Sequence, residues 1–78
     1  MQIEVRLYAT LRQIAPDAPG GVLAVTMPEG ASVADVFAAL KIDPVKVHLI
    51  MVNGVAADLD SILKDSDRLG LFPPVGGG

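Results

Sequence analysis

The sequence contains no cysteine, which excludes disulfide bonds, thiol nucleophiles and cysteine-ligated metal sites. Histidine occurs once, as His48, inside an apolar run and with no second histidine to share a metal ion. Lysine and arginine are not clustered, and the formal net charge is -3. We therefore expect no basic surface of the kind that binds nucleic acid or anionic membranes.

Long apolar runs are also absent from the sequence. No run approaches the roughly 20 residues that a helix needs to cross a bilayer. The first residues alternate apolar and polar side chains and lack the apolar core of a signal peptide. The sequence therefore predicts a cytoplasmic protein.

The apolar content is nevertheless high enough for one small domain. Hydrophobic residues make up 51% of the 78 residues and charged residues make up 19%. This balance is typical of a chain that folds rather than one that stays disordered. The length corresponds to one domain, near the lower limit of what a single core can stabilise.

Two strands are predicted in the first third of the chain. Ile3, Val5 and Leu7 alternate with polar residues, which is the pattern of a half-buried strand. A short helical turn and a loop rich in proline and glycine follow. A second apolar stretch with β-branched residues, at positions 22–27, predicts the second strand.

A helix is predicted next, because Ser32 and Asp35 have the spacing of a capping box. Its apolar residues recur on one stripe, at Val33, Val36, Phe37 and Leu40. Lys41 suits the negative end of the helix dipole, and Asp43-Pro44 ends the helix.

The second half of the chain reads as further strands. The apolar run 47–52 predicts a strand covered on much of both faces. Asn53-Gly54 predicts a tight hairpin, with Val55-Ala56 pairing back as a short strand. Leu69 and Leu71 alternate with neighbours of the other face as a last strand.

This order of elements predicts the α+β class, and ubiquitin-like β-grasp domains share it. We expect a mixed sheet of four to five strands with one main helix packed across it. A ferredoxin-like split fold is the competitor, but it needs two substantial helices. Residues 1–72 are predicted to form the domain, and residues 73–78 a flexible C-terminal Gly-Gly tail.

Conventional catalytic and metal-binding patterns are missing from the side chains. His48 is interpreted as a strand residue that is hydrogen-bonded or at an edge. Gly20-Gly21 is followed by neither a lysine nor a helix start, so it is not a phosphate loop. Four aspartates match the calcium-loop pattern poorly and are interpreted as turn residues. They are Asp58, Asp60, Asp65 and Asp67.

The closing segment is Phe72-Pro73-Pro74-Val75-Gly76-Gly77-Gly78. Its prolines disfavour helix, and its glycines carry no side chain to shield the terminal carbonyl. The terminal carboxylate is ionised at neutral pH and can attack an activated phosphate to form an acyl-adenylate. A merely frayed end is the alternative interpretation.

Three segments resemble those of the MoaD/ThiS sulfur-carrier proteins. They are Val52-Asn53-Gly54, residues 63–69 and the closing residues 72–78. In that family a ubiquitin-activating-type enzyme uses ATP to adenylate the terminal glycine. A sulfur donor then converts this glycine to a thiocarboxylate.

The resemblance implies that Gly78 carries the sulfur and that Gly77 is its required neighbour. It also implies an arm that threads into partner enzymes, formed by Phe72, Pro73, Pro74, Val75 and Gly76. The chain itself would bind no cofactor and would not be an enzyme. ATP and catalysis would belong to its partners, the adenylating enzyme and a large synthase subunit or other sulfur acceptor enzyme.

Two positions depart from the family pattern. Ser66 stands where the family often has glycine, which a turn tolerates if the residue need not have positive φ. Gly76 replaces the commoner alanine or serine. Neither departure removes the terminal Gly-Gly.

The Phe-Pro-Pro ending favours the small subunit of molybdopterin synthase, in molybdenum or tungsten cofactor biosynthesis. Thiamine or another sulfur-containing metabolite is an alternative destination for the sulfur. A ubiquitin-like modifier that forms isopeptide bonds with lysines is an alternative of a different class. A plain binding module with a flexible end is the third.

Overall fold

The computed structural model describes residues 1–74, which form a five-stranded mixed sheet with one α-helix across one face. The elements are β1 (Gln2–Leu7), β2 (Val22–Thr26), α1 (Val33–Leu40), β3 (Leu49–Val52), β4 (Val55–Ala57) and β5 (Arg68–Phe72). Short 3-10 turns lie at Ala9–Ile14, Pro19–Gly21 and Pro44–Lys46. The predicted α+β class, with one main helix on a mixed sheet, is confirmed.

The strand order is β2-β1-β5-β3-β4, so β5 lies between the first and third strands. β5 runs parallel to β1, and the other neighbouring strands are antiparallel. This topology is that of the ubiquitin-like β-grasp. Because β1 and β5 are parallel, both strands end at the same edge of the sheet.

The predicted alternation of buried and outward-facing residues in the first and last strands is confirmed. Ile3, Val5 and Leu7 of β1 are buried, as are Leu69 and Leu71 of β5. The other residues of these two strands point to the opposite side of the sheet. We call that side, which faces away from α1, the open face.

The capping box at the start of α1 is confirmed. The Asp35 N–H donates to the Ser32 hydroxyl at 3.3 Å, and the Ser32 N–H donates to the Asp35 carboxylate at 2.8 Å. The N–H groups of Val33 and Ala34 donate to carbonyls of a distant loop. Val33 donates to Ser61 and Ala34 donates to Leu59, each at 3.0 Å. The donors of the first helical turn are therefore satisfied by both local and distant partners.

The predicted stripe of α1 is buried at Val33, Val36 and Phe37, and Leu40 is partly buried against the same core. The helix ends at Lys41, whose backbone is left-handed, with φ 58°. Its N–H donates to the carbonyl of Ala38 at 3.2 Å, which satisfies one of the last carbonyls.

The prediction for the third strand is wrong in extent and in burial. The strand starts at Leu49 rather than at residue 47, and its residues are half-buried or, at Leu49, 39% exposed. Ile50 and Val52 pack against the core. Leu49 and Met51 alternate with them onto the open face, which α1 does not cover, so the apolar run reflects one buried face only.

The Asn53-Gly54 hairpin is confirmed, with φ 53° and 81° at its two turn residues. The Asn53 side chain also connects the turn to the start of β5. Its amide group donates to Asp67 at 2.8 Å, and its carbonyl accepts from the Arg68 N–H at 2.9 Å. β4 extends one residue beyond the predicted pair, to Ala57.

The four aspartates are turn residues, as predicted. Asp58 accepts from the Asp60 N–H at 2.9 Å, and Asp67 accepts from the Lys64 N–H at 2.7 Å. Asp65 accepts from the Gln2 N–H at 2.7 Å, so it joins the turn to the start of β1.

The condition under which the turn would tolerate serine at position 66 is not met, because the φ of Ser66 is positive, at 71°. That backbone costs a non-glycine residue on the order of 1 kcal/mol. The glycine that the resembled family often has at this position fits the same geometry without that cost.

No helix in residues 1–74 has the length and apolar character needed to cross a membrane. The division of the chain into residues 1–72 and a tail at 73–78 stays a prediction, since residues 75–78 lie outside the described part.

We predict that Gly21→Ala destabilises the domain more than Gly20→Ala. Both glycines have positive φ, 76° and 62°. A Cβ at Gly21 would lie 2.5 Å from the Leu7 carbonyl oxygen, whereas a Cβ at Gly20 meets nothing within 4 Å. Gly20→Ala should cost about 1–2 kcal/mol of unfolding free energy, and Gly21→Ala a further ~1–3 kcal/mol. Urea denaturation of both variants measures the difference, and equal losses would contradict the steric account.

We also predict that Ser66→Gly raises the free energy of unfolding by about 0.5–1 kcal/mol, since it relieves the left-handed backbone. Ser66→Ala is the matched control, because it removes the hydroxyl and keeps the unfavourable φ. Chemical denaturation should show stabilisation for Ser66→Gly only. An equal gain in both variants would assign the effect to the hydroxyl.

Candidate functional site

The candidate site begins where β5 leaves the sheet. The Tyr8 N–H donates to the Leu71 carbonyl at 3.2 Å from one side. The His48 N–H donates to the Phe72 carbonyl at 2.8 Å from the other side. Pro73 and Pro74 follow and have no N–H to donate. Regular strand pairing therefore runs up to Phe72 and ends there.

An aromatic stack lies at the same point. The rings of Tyr8 and Phe72 are nearly parallel, with their centroids 4.3 Å apart and their planes inclined by 5°. Both residues are half-buried on the open face. The stack forms because parallel strands bring the last residue of β5 beside the residue that follows β1.

Gly70 leaves room beneath this stack. A Cβ built on Gly70 would lie 3.5 Å from the Phe72 ring and 3.6 Å from the Tyr8 ring. The two rings thus lie across the backbone of Gly70, which β5 places between β1 and β3. A long side chain at this position would compete with the rings for the same space.

The chain turns sharply after Tyr8. Ala9 has φ 51°, a left-handed backbone that is uncommon for alanine. The turn directs the chain from β1 into the 3-10 turn Ala9–Ile14, where Leu11 is buried. The Leu11 N–H donates to the Tyr8 carbonyl at 3.1 Å. Tyr8 is therefore held by backbone bonds on both its N–H and its carbonyl.

Apolar side chains continue the open face beside the stack. Leu49 is paired with Phe72, and Met51 with Gly70. We call Leu49 and Met51 the open-face patch. Neither residue is part of the buried core, so packing of the core does not explain why these positions are apolar.

Two arginines border this region, Arg6 and Arg68. The Arg6 guanidinium donates to the Glu4 carboxylate at 2.6 Å, and both side chains stay partly exposed. This hydrogen bond and the negative charge of Glu4 raise the pKa of Arg6 above its ordinary value, with a smaller contribution from Tyr8. Arg6 is thus a permanent cation beside the stack.

The structure brings some of the predicted site residues together. Phe72, which is part of the stack, and Pro73 are half-buried, and Pro74 is exposed. The predicted residues Val75, Gly76, Gly77 and Gly78 lie outside the described residues. His48 contributes its backbone N–H and is exposed. In residues 1–74 no group of three side chains is placed to hold a metal ion.

Sequence reasoning missed Tyr8 as part of this site. Two signals were present, since Tyr8 is one of only three aromatic residues and follows β1 on its polar side. Neither signal reveals that β1 and β5 are neighbours. That adjacency, which comes from the topology, gives Tyr8 its partner.

Comparison with known proteins places the chain among small β-grasp proteins. The model of the ThiS family matches residues 5–78. No curated protein sequence matches the chain.

Three solved structures are similar to the chain. SAMP1 from Haloferax volcanii is 28% identical, with a TM-score of 0.75 and 100% of both chains covered. A Pyrococcus furiosus protein assigned as molybdopterin converting factor subunit 1 is 31% identical, with a TM-score of 0.77. That alignment covers 96% of this chain and 99% of the other.

The third structure is a protein-protein complex of subunits 1 and 2 of molybdopterin-converting factor from Helicobacter pylori. The matching chain of that complex is 25% identical to this chain, with a TM-score of 0.67 and 100% of both chains covered. These neighbours confirm the ubiquitin-like β-grasp fold.

Proposed function

The chain belongs to the ThiS family, and from that premise we propose that it is a sulfur carrier whose C-terminal glycine is converted to a thiocarboxylate. The family contains sulfur carriers of the ThiS and MoaD type, and ubiquitin-like modifiers are among the structural neighbours. The observation that carries the proposal is the end of β5. A strand held up to Phe72 is followed directly by two prolines and a closing Gly-Gly-Gly.

The proposed chemistry uses the carboxylate of Gly78. One of its oxygens attacks the α-phosphorus of ATP, and pyrophosphate leaves, which gives the acyl-adenylate. Hydrosulfide supplied by a sulfur donor then attacks the carbonyl carbon, AMP leaves, the sulfur loses its proton, and the thiocarboxylate remains. Glycine at the last positions leaves the carbonyl open to this attack. The catalytic groups and the ATP site belong to the adenylating enzyme, and this chain binds no cofactor of its own.

From here on we use the name arm for residues 73–78, the predicted tail that follows Phe72. The six residues 73–78 reach roughly 20 Å when extended. Ordering each of them costs on the order of 1 kcal/mol, which contacts along the partner's groove must offset. In this proposal Gly76 and Gly77, which have no side chain, suit a narrow channel in the partner, and the proline rings restrict φ at positions 73 and 74.

We propose two partners, a ubiquitin-activating-type adenylating enzyme and a sulfur acceptor enzyme such as a large synthase subunit. The Helicobacter pylori neighbour is a complex of subunits 1 and 2 of a molybdopterin-converting factor, which supports the second partner. That neighbour and the Phe-Pro-Pro ending favour molybdopterin as the destination of the sulfur. A cytoplasmic location follows from the proposed dependence on ATP.

The open-face patch is our proposed docking surface for the body of the domain. Leu49 and Met51 are apolar, lie outside the core and adjoin the root of the arm. We therefore expect a partner that binds the arm to contact these two side chains where the arm begins. Arg68 borders the patch and favours a partner with a carboxylate at the matching position, whereas Arg6 is already paired with Glu4.

Protein modification is the second candidate function. SAMP1, the small archaeal modifier protein, covers the whole chain at 28% identity, and this observation favours it. Modification would share the adenylation step and then form an isopeptide bond with a lysine. Denaturing purification from cells separates the two, because covalent adducts survive denaturation and a sulfur carrier runs free.

We predict that incubation with the adenylating enzyme, ATP and a sulfur donor adds the mass of one oxygen-to-sulfur exchange at Gly78. Intact-protein mass spectrometry measures the gain, and fragmentation locates it. Deletion of Gly78 should abolish the gain and leave the thermal unfolding midpoint unchanged. A truncated protein that still gains sulfur would overturn the assignment.

We predict that Met51→Asp weakens binding to the adenylating enzyme by about tenfold or more, since it places a charge in an apolar contact. Val22→Asp is the matched control. Val22 is paired with Arg6 across β1 and β2, so it also lies on the open face but away from the patch. Isothermal titration calorimetry compares the two variants. Equal losses would show that the patch is not the docking surface.

A further inference from the structure

We propose that Tyr8 is a positioning residue that sets the direction in which the arm leaves the sheet. It does so by holding the ring of Phe72, the last strand residue before the arm. The inference rests on the proposed function, because the direction of the arm matters only if a partner receives it. Tyr8 touches neither the reacting carboxylate nor the nucleotide in this account.

Phe72 is restrained in two different ways. Its carbonyl accepts the His48 N–H at 2.8 Å, which fixes the backbone on the β3 side. Its ring lies on the Tyr8 ring with centroids 4.3 Å apart, which fixes the side chain on the β1 side. The hydrogen bond from His48 sets where β5 ends. The stack with Tyr8 opposes rotation of Phe72 about the strand axis.

The restraint on Phe72 passes into the arm through the prolines. Pro73 and Pro74 have φ fixed near -65° by their rings, so the first two residues of the arm have few backbone conformations. Because they have no N–H group, these residues cannot donate backbone hydrogen bonds to β1 or β3. The orientation of Phe72 therefore determines the direction in which the arm starts.

Tyr8 can serve as the fixed side of the stack because its own position is secured. Its N–H is bonded to the Leu71 carbonyl and its carbonyl to the Leu11 N–H. Leu11 is inserted in the core, with 3% of its surface exposed. Ala9, between them, adopts the left-handed backbone that makes this turn possible. These contacts hold Tyr8 without the help of Phe72.

The stack contributes little to the core itself. Neither Tyr8 nor Phe72 is among the buried core residues, and both rings lie on the open face. Removal of the Tyr8 ring should therefore loosen the root of the arm and leave the domain folded. Tyr8→Phe keeps the stack and removes only the hydroxyl.

The first test measures the direction of the arm without any enzyme. Because the chain has no cysteine, Ala38→Cys on the exposed side of α1 and Val75→Cys on the arm create a unique pair of spin-label sites. Pulsed dipolar electron paramagnetic resonance then gives the distribution of distances between the labels. Tyr8→Ala should broaden that distribution, whereas Tyr8→Phe and the open-face control Val22→Ala should leave it unchanged. Equal widths in all four backgrounds would overturn the proposal.

The second test measures the consequence for adenylation, by ATP-pyrophosphate exchange with the adenylating enzyme. We expect Tyr8→Ala to lower kcat by about 2- to 10-fold, the range that corresponds to loss of an aromatic pair. KM should stay unchanged, and Tyr8→Phe should restore kcat. A rise in KM at constant kcat would make Tyr8 a direct contact of the partner and would overturn the positioning role.

The two tests separate this inference from the function on which it rests. Absence of adenylation in the unmutated protein would count against the sulfur carrier, while the distance measurement would still decide the role of Tyr8. If Tyr8→Ala fails to fold, Tyr8→Leu replaces it, since leucine keeps apolar volume without a flat ring.

Discussion

The parallel pairing of β1 with β5 joins residues 4–7 to residues 68–71 through the middle of the sheet. Its inner face supplies Val5, Leu7, Leu69 and Leu71 to the core, and all four are buried. Its direction makes both strands end at one edge, where Tyr8 meets Phe72. A single strand pairing thus accounts for the centre of the core and for the position of Phe72, at which β5 ends.

The loop between β4 and β5 secures the opposite end of this pair. Ser66 donates its N–H to the Gln2 carbonyl at 2.8 Å, and the Glu4 N–H donates to the Asp67 carbonyl at 3.0 Å. Carbonyls of the same loop accept amides from the first turn of α1. The side chains of Asp58, Asp65 and Asp67 accept N–H groups and are therefore structural. The left-handed Ser66 is the unfavourable backbone that this loop retains.

The two faces of the sheet have separate tasks because α1 covers only one of them. Burial against α1 stabilises the domain and leaves the open face free to be apolar near the arm and charged beside it. In the sulfur-carrier proposal this division has a physical advantage. Under that proposal the reacting group would be the terminal carboxylate, and the side chains would serve to fold, dock and orient rather than to catalyse.

Local patterns alone determined much of this protein. The alternation in β1 and β5, the Ser32–Asp35 capping box and the Asn53-Gly54 turn each report interactions between near neighbours in sequence. Such patterns predicted the elements and their order, whereas the carrier hypothesis came from the resemblance to the MoaD/ThiS proteins. They misjudged β3, because an apolar run does not say which of its faces another element will cover.

Only the tertiary structure decided which distant residues meet. The adjacency of β1 and β5 creates the stack of Tyr8 on Phe72, and packing of Gly21 against the Leu7 carbonyl explains a glycine that the sequence left without a role. The loop contacts that hold Ser66 at positive φ likewise come from partners far away in the chain. Such contacts depend on the pairing of strands that are distant in the chain, above all β1 with β5, which no local pattern in this sequence specifies.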